Sequence, residues 1–443
     1  MRQSRKKSTR KPIFSRAKSA GNASTWISRL KAQISKFWAA VPAGTDNTLL
    51  FLALVTTVLG LVFIVDAGYV QSIAVNETIV PPAFVSQVKA LLISAVAYAV
   101  VRRIRPDWIQ KNAKGIILVI IGLLIAVELV GTSQNGAKRW LGPTSMALQP
   151  AEFAKLGIII YLASVLCTKK AWEETWAERR KKPGFFWQVV EPKFIRFWPA
   201  IVVLFVWFLI EREKDLGTAS VVLVTAIAMF CTVPKTWKSV VAVALILSVG
   251  VSAFIAKEPY RMQRITVHSA RWEKENINKD SYQTIHSELA MVSGGVIGTG
   301  FGSGRAKHMI PATTTDFIMA TIAEECGFWG PMICLMLVGG IAFRLLMHAQ
   351  NQTDMFQKLV LSGAAWWIAI QATTNLMMAN ATLPAIGIPF PFISAGGSSL
   401  MALWITLGVC ERMSISPELE KAEAKNATRH HWWRHRRARL PRA

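Results

Sequence analysis

Apolar runs of roughly 15 to 22 residues recur along the chain, a length matched to the hydrocarbon core of a bilayer. They fall at Leu49–Val65, Ala83–Val101, Gly115–Val130, Phe153–Cys167, Trp198–Ile210, Gly217–Val233, Val240–Ile255, Phe317–Leu346, Leu359–Asn380 and Gly397–Cys410. The fifth and last runs are short by themselves and are expected to extend into the flanking polar residues. The pattern predicts an all-α polytopic membrane protein of about ten transmembrane helices. Only one of the intervening polar stretches is long, Lys257–Asp316, a dense mixture of Arg, Lys, Glu, Asp and His. It is read as a large extracytoplasmic loop between helices 7 and 8. A long charged loop held on one side of a membrane is the first place to look for chemistry.

Composition fits this reading: 52% hydrophobic and 17% charged residues over 443 positions exclude an ordinary soluble domain. The net charge of +25 is concentrated at the two ends and in a few loops, which points to anionic lipid headgroups and not to nucleic acid. Residues 1–45 form a basic arm ending in an interfacial helix, with Trp26, Leu30 and Trp38 on one face and Arg29, Lys31 and Lys36 on the other. Residues 46–412 hold the spans, including the loop at 257–316, and residues 413–443 are a second basic tail. With both termini inside, the segments Arg102–Lys114, Thr168–Phe197, Pro234–Lys238 and Arg344–Lys358 are inner loops and obey the positive-inside rule. The Trp-rich inner loop reads as an interfacial amphipathic piece. The five cysteines have no CxxC spacing and lie mostly in or beside apolar runs, so neither disulfides nor a cysteine zinc site is expected.

Four polar stretches on the outer side stand out, because polar groups at membrane depth are costly and mark function. Asn135–Leu156, NGAKRWLGPTSMALQPAEFAKL, suggests a structured re-entrant loop leading into a helix with Glu152 and Lys155. Glu211–Ala219, EREKDLGTA, places Asp215 near a helix N-terminus, where a carboxylate is favoured. The long loop runs from YRMQRIT through SYQTIHSELAMVSGGVIGTGFGSGRAKHMIP to TTTDFIMATIAEECGF. Leu383–Leu400, LPAIGIPFPFISAGGSSL, must break a helix at its Pro and Gly residues. The glycines from Gly294 to Gly304 follow no strand and are read as tight turns, not a nucleotide loop. Asn375 and Gln371, one helical turn apart, are expected to bond between helices. Ser394, Ser398 and Ser399 would line a polar nest or allow close packing.

Together these stretches resemble the SEDS family (shape, elongation, division and sporulation), the FtsW, RodA and SpoVE type of bacterial membrane glycosyltransferase. The resemblance runs from about Leu49 to Arg412, with the motifs in the family's order. It implies a multi-pass protein of the bacterial cytoplasmic membrane that polymerises lipid II, the undecaprenyl-pyrophosphate-linked peptidoglycan precursor, in cell division or shape maintenance. It also implies a class B penicillin-binding transpeptidase as partner. Inactive scaffolding of a cell-wall complex and flipping of a lipid-linked precursor are the alternatives.

The transfer requires a base for the attacking hydroxyl and cations for the departing pyrophosphate. Arg139, Lys155, Arg261 and Arg264 are the expected phosphate ligands, Arg being suited to bidentate contact. Glu152, Asp316, Glu325 and Ser398 complete the expected substrate-binding set, with Asp316, Glu324 and Glu325 equally readable as helix-start acids. The family carries its essential aspartate in the long loop, a few residues before Tyr-Gln. This chain keeps YRMQRIT and Tyr282-Gln283 but has Lys274 at the expected place and no Asp-Pro. Asp280, then Glu275, with Glu273 beside them, are the candidate bases; solvated loop charge is the competing reading of all three. His268, His286 and His308 match no metal-ligand spacing, so no metal site is assigned; a divalent cation is the single cofactor left open.

Overall fold

The computed structural model describes residues 46–134, 137–142, 147–167, 191–233, 259–277 and 281–415. The predicted arm and tail, most of the Trp-rich loop, the run Val240–Ile255 and Asp280 lie outside them, as do the side chains of Arg261, Arg264 and Glu275. The other nine apolar runs all coincide with helices: α1 Asn47–Asn76, α2 Pro82–Val101, α3 Pro106–Val130, α4 Pro150–Cys167, α5 Glu191–Arg212 and α6 Leu216–Thr232. After four described helices in the long loop, α7 Pro259–Ser269, α8 Lys274–Ile277, α9 Tyr282–Gly294 and α10 Ala306–Met309, come α11 Ile318–Cys326, α12 Trp329–Asn351, α13 Met355–Ala379 and α14 Gly397–Ser414.

Local chemistry sets the boundaries. Asp46 caps α1 by accepting hydrogen bonds from the Thr48 and Leu49 backbone, and Asp354 does the same for α13 with Phe356 and Gln357. Pro82 and Pro106 open α2 and α3, where a missing N–H costs nothing. As expected, α5 and α14 run past their short apolar segments. Three boundaries differ from the sequence reading. Helix α1 continues through Asp66 to Asn76 instead of ending at Val65. The stretch after α3 takes its structure as a β-hairpin, β1 Thr132–Gln134 antiparallel to β2 Ala137–Trp140, closed by a Leu141–Leu148 bridge. The run Phe317–Leu346 is two helices: Gly327 adopts φ 65°, a left-handed value that ends α11 and that apolarity alone does not reveal.

Among the described residues, α1, α2, α3, α4 and α12 are each long and apolar enough to cross a bilayer. Helices α13 and α14 are less apolar because they bury polar side chains, Ser362, Gln371 and Asn375 on one and Ser398, Ser399 and Glu411 on the other. Enclosure is graded: 78% of α4 is buried inside the protein but only 17% of α2. Helix α4 packs against α3, α6 and α13, while α2 packs chiefly on α14. The outward faces of α2 and α3 present Leu92, Val96, Leu129 and Val130, each more than 60% exposed. Apolar surface of that extent on long helices suits hydrocarbon, not water. The chain is an integral membrane protein with an all-α polytopic fold.

Candidate functional site

The β-hairpin, the α5–α6 turn, the start of α4 and the start of α14 meet at one end of the bundle. Gln149, just before α4, donates from its backbone N–H to Ser398 Oγ (3.0 Å) and from its side chain to Asp215 Oδ2 (2.8 Å). Asp215 caps α6 through the Thr218 N–H (3.0 Å). Arg139 of β2 reaches across to the α5–α6 turn, its Nε donating to the Glu213 carbonyl (3.2 Å) and its Nη2 to the Lys214 carbonyl. Three of the four polar stretches are thereby tied together, and Arg139 and Ser398, predicted separately, share one locus.

One turn into α4, Glu152 and Lys155 are both buried, with 2.8 Å between Lys155 Nζ and Glu152 Oε1. Lys155 also donates to Gln371 Oε1 (3.0 Å), which accepts from Trp367 Nε1 (2.7 Å). Its ammonium lies 5.5 Å from the centre of the Trp367 ring. Gln371 passes the network on by donating to the Pro389 carbonyl (2.9 Å), and Asn375 donates to the Asp316 and Ile388 carbonyls. Gln371 thus bonds between helices, to Lys155 of α4, as expected, and both α13 amides also hold the Pro- and Gly-rich connection before α14. Ser394 locks the same connection, accepting from Phe390 N–H and donating to the Thr315 carbonyl (2.6 Å). Asp316 is half-buried beside Gly387 of this connection.

A third cluster lies at the junction of α1, α10 and α11. Lys307 Nζ is 2.8 Å from Asp66 Oδ1 and 2.7 Å from Glu325 Oε1. Glu325 also accepts the Gly302 and Gly304 N–H groups, and Glu324 accepts that of Ala306 (2.7 Å). The glycine loop is thus wrapped around two buried carboxylates. At Gly298, φ is 92° and a Cβ would stand 2.2 Å from the Glu325 carbonyl oxygen, so only glycine fits. This is the tight-turn role expected of the series, and it engages Glu325 fully with protein donors.

The remaining candidates belong to the long loop. Arg271 pairs with Glu288 (3.0 Å), Ser281 donates to the Val267 carbonyl, and Ser287 anchors α9 to the end of α13 through the Ala379 carbonyl. Glu273, just before α8, and Lys274, its first residue, are exposed. Among the described residues, no group of three His, Cys, Asp or Glu side chains is placed to hold a metal ion.

Sequence reasoning passed over Glu213. It stands in the α5–α6 turn between Arg212 and Lys214, where an acid reads as solvated charge, yet it is only 4% exposed and neither carboxylate oxygen has a hydrogen-bond partner among the described residues. Burial, reinforced by Asp215 and Glu128 and only partly opposed by Arg139, pushes its carboxyl up to about 9. The clue available in the sequence was the density of acids at alternate positions in EREKD.

A family model described as a cell cycle protein, covering FtsW, RodA and SpoVE, matches residues 46–418. The chain belongs to this family. It is 30% identical over 88% of its length, and 95% of the relative's, to a protein of Aeromonas salmonicida named as a probable peptidoglycan glycosyltransferase FtsW. It is 32% identical over 69% of its length, and 80% of the relative's, to the stage V sporulation protein E of Bacillus subtilis. Among solved structures, it is similar to a chain of a peptidoglycan synthase complex, in work on the coordination of polymerisation and crosslinking (TM-score 0.65, 25% identity, 84% of this chain and 98% of that one). It is also similar to the rod shape determining protein RodA of Thermus thermophilus (TM-score 0.55, 25% identity, 84% of this chain and 96% of that one). The family's match spans every described helix from α1 to α14.

Proposed function

We propose that this protein is a peptidoglycan glycosyltransferase that polymerises lipid II at the outer face of the bacterial cytoplasmic membrane, together with a penicillin-binding transpeptidase. The observation that carries the reading is the convergence of three non-contiguous polar stretches through Arg139, Gln149, Asp215 and Ser398 at one end of the bundle, in a chain whose relatives bear that activity in their names. The likeness to a chain of a synthase complex supports the partner. With about ten spans and both basic termini inside, this end faces outward, as does the long loop.

In this reading Arg139 takes the pyrophosphate of the lipid-linked substrate, using the guanidinium hydrogens left over from its two carbonyl contacts. Arg261 and Arg264, of the YRMQRIT stretch, are the further phosphate ligands of this reading. Asp280, or Glu275 or Glu273 beside it, removes the proton from the attacking hydroxyl as the anomeric bond to pyrophosphate breaks. Lys155 is held by Glu152 and Gln371, so it acts on substrate through the field of that pair or after exchanging partners.

The test is conversion of lipid II to glycan strands by the purified chain with its transpeptidase partner. Asp280→Ala or Glu275→Ala is expected to abolish synthesis with expression intact. Full polymerisation by a variant lacking Glu273, Glu275 and Asp280 together would reject the base assignment. Wild-type inactivity beside an active relative would favour a scaffold, and passage of precursor into vesicles, insensitive to these carboxylates, would favour a flippase.

A further inference from the structure

The turn between α5 and α6 contains a buried carboxyl that the architecture leaves without a partner. Glu213 is 4% exposed, and neither of its oxygens is hydrogen-bonded among the described residues. Other buried acids have donors: Asp215 the Thr218 N–H and Gln149, Glu325 two N–H groups and Lys307, Glu152 the ammonium of Lys155. Charged groups come to Glu213 from neighbouring elements. Glu211 and Arg212 end α5, Lys214 and Asp215 follow in the turn, Arg139 comes from β2, and Glu128 comes from α3, where it is occupied by Arg212 (Nε to Oε1, 3.0 Å). Arg139 is fixed to this very residue, but through the Glu213 backbone carbonyl and not its carboxylate.

A carboxylate buried without a donor costs several kcal/mol and is relieved by taking a proton. Glu213 in its neutral form exerts no pull on the guanidinium next to it. In its ionised form it is a counter-ion already in place. The charge that Arg139 can offer to an outside anion therefore depends on whether Glu213 holds a proton.

We propose that Glu213 is a positioning residue that switches Arg139: protonated, it leaves the guanidinium free for the phosphate of a polyprenyl pyrophosphate, and ionised, it takes that charge for itself. This deepens the role given to Arg139 in the proposed function and rests on it. The carboxyl, raised to about 9 by burial and its acidic neighbours, is neutral under ordinary conditions. The switch therefore operates on the alkaline side.

The experiment measures binding of undecaprenyl pyrophosphate to the full chain in detergent micelles across the range from about pH 7.5 to about pH 9.5. If only the protonated form binds fully, affinity falls about fourfold over that range, in proportion to the competent fraction. Glu213→Gln, which cannot ionise, should give a flat profile. Glu128→Gln removes one like charge while leaving Glu213 in place, and should move the midpoint to lower pH, a shift that a purely structural role would not produce. Arg139→Ala should bind weakly at every pH. The proposal is overturned if the alkaline loss survives in Glu213→Gln, if Glu128→Gln leaves the midpoint unmoved, or if Arg139→Ala or the wild type shows no affinity difference attributable to the guanidinium. Polymerisation is scored in parallel on the same preparations after the transpeptidase partner is added. Binding with the expected profile but no glycan strands would keep the switch and reject the glycosyltransferase reading; strands with no Glu213 dependence would do the opposite.

Discussion

Replacing Lys307 with Met is expected to be among the most damaging single changes in the membrane domain. The Lys307 side chain is 4% exposed and lies between those of Asp66, 9% exposed, and Glu325, 0% exposed. The cluster holds two carboxylates for one ammonium, so the variant leaves two buried acids facing each other. Removing one partner of a buried pair costs about 3–5 kcal/mol, chiefly the desolvation of the charge left behind. Asp66→Asn makes the opposite change. It leaves one ammonium with one carboxylate, and Glu325 keeps its Gly302 and Gly304 donors, so the loss is near that of a single hydrogen bond, about 1 kcal/mol. A gap of about 2 kcal/mol or more between two changes at one contact corresponds to roughly 30-fold in the folding equilibrium. Titration with sodium dodecyl sulfate in mixed micelles, followed by tryptophan fluorescence, gives both values. The double variant Asp66→Asn/Lys307→Met retains one acid and should be less unstable than the sum of the single changes. Equal losses for the two single variants, or strict additivity in the double, would refute this electrostatic account of the junction between α1, α10 and α11.

Two further outcomes concern the polar contacts elsewhere. Gln371→Leu removes the acceptor shared by Lys155 and Trp367 and the donor to the Pro389 carbonyl; the same titration should show a loss of about 1–3 kcal/mol from the buried groups left unsatisfied. At the opposite end, burial of Asp46 is more than offset by Arg344 and His348, each with a 2.6 Å contact, and its carboxyl is held below the usual 3.8. A depressed folded-state value gives stability that is present above the unfolded value and is lost as pH falls through the folded one. The advantage of wild type over Asp46→Asn should therefore persist at neutral pH and fade below about pH 3.8, and an advantage unchanged at low pH would contradict it.

Much of this architecture is legible in the sequence because bilayer length and apolarity are read directly from a run of residues. The same criterion misplaces the break at Gly327, since apolar residues continue on both sides and only the positive φ ends the helix. It also misplaces the end of α1, where one acid, Asp66, looks like the start of a loop but is neutralised by a lysine 241 positions away. Long-range partners have the same effect on charge. Lys155 reads as a phosphate ligand until Glu152 and Gln371 are found on it, and Glu213 reads as solvated until Arg139, 74 residues earlier in the chain, fastens the hairpin over its turn. These assignments narrow the problem of pyrophosphate recognition. Lys155, Lys307 and Arg271, all buried or half-buried, each have a carboxylate partner. Arg139 is bound through neutral carbonyls alone, and a carbonyl holds a guanidinium in place without cancelling its charge. An anion arriving at this end therefore meets in Arg139 a guanidinium held by carbonyls, beside the buried Glu213, which can take up that charge by losing a proton.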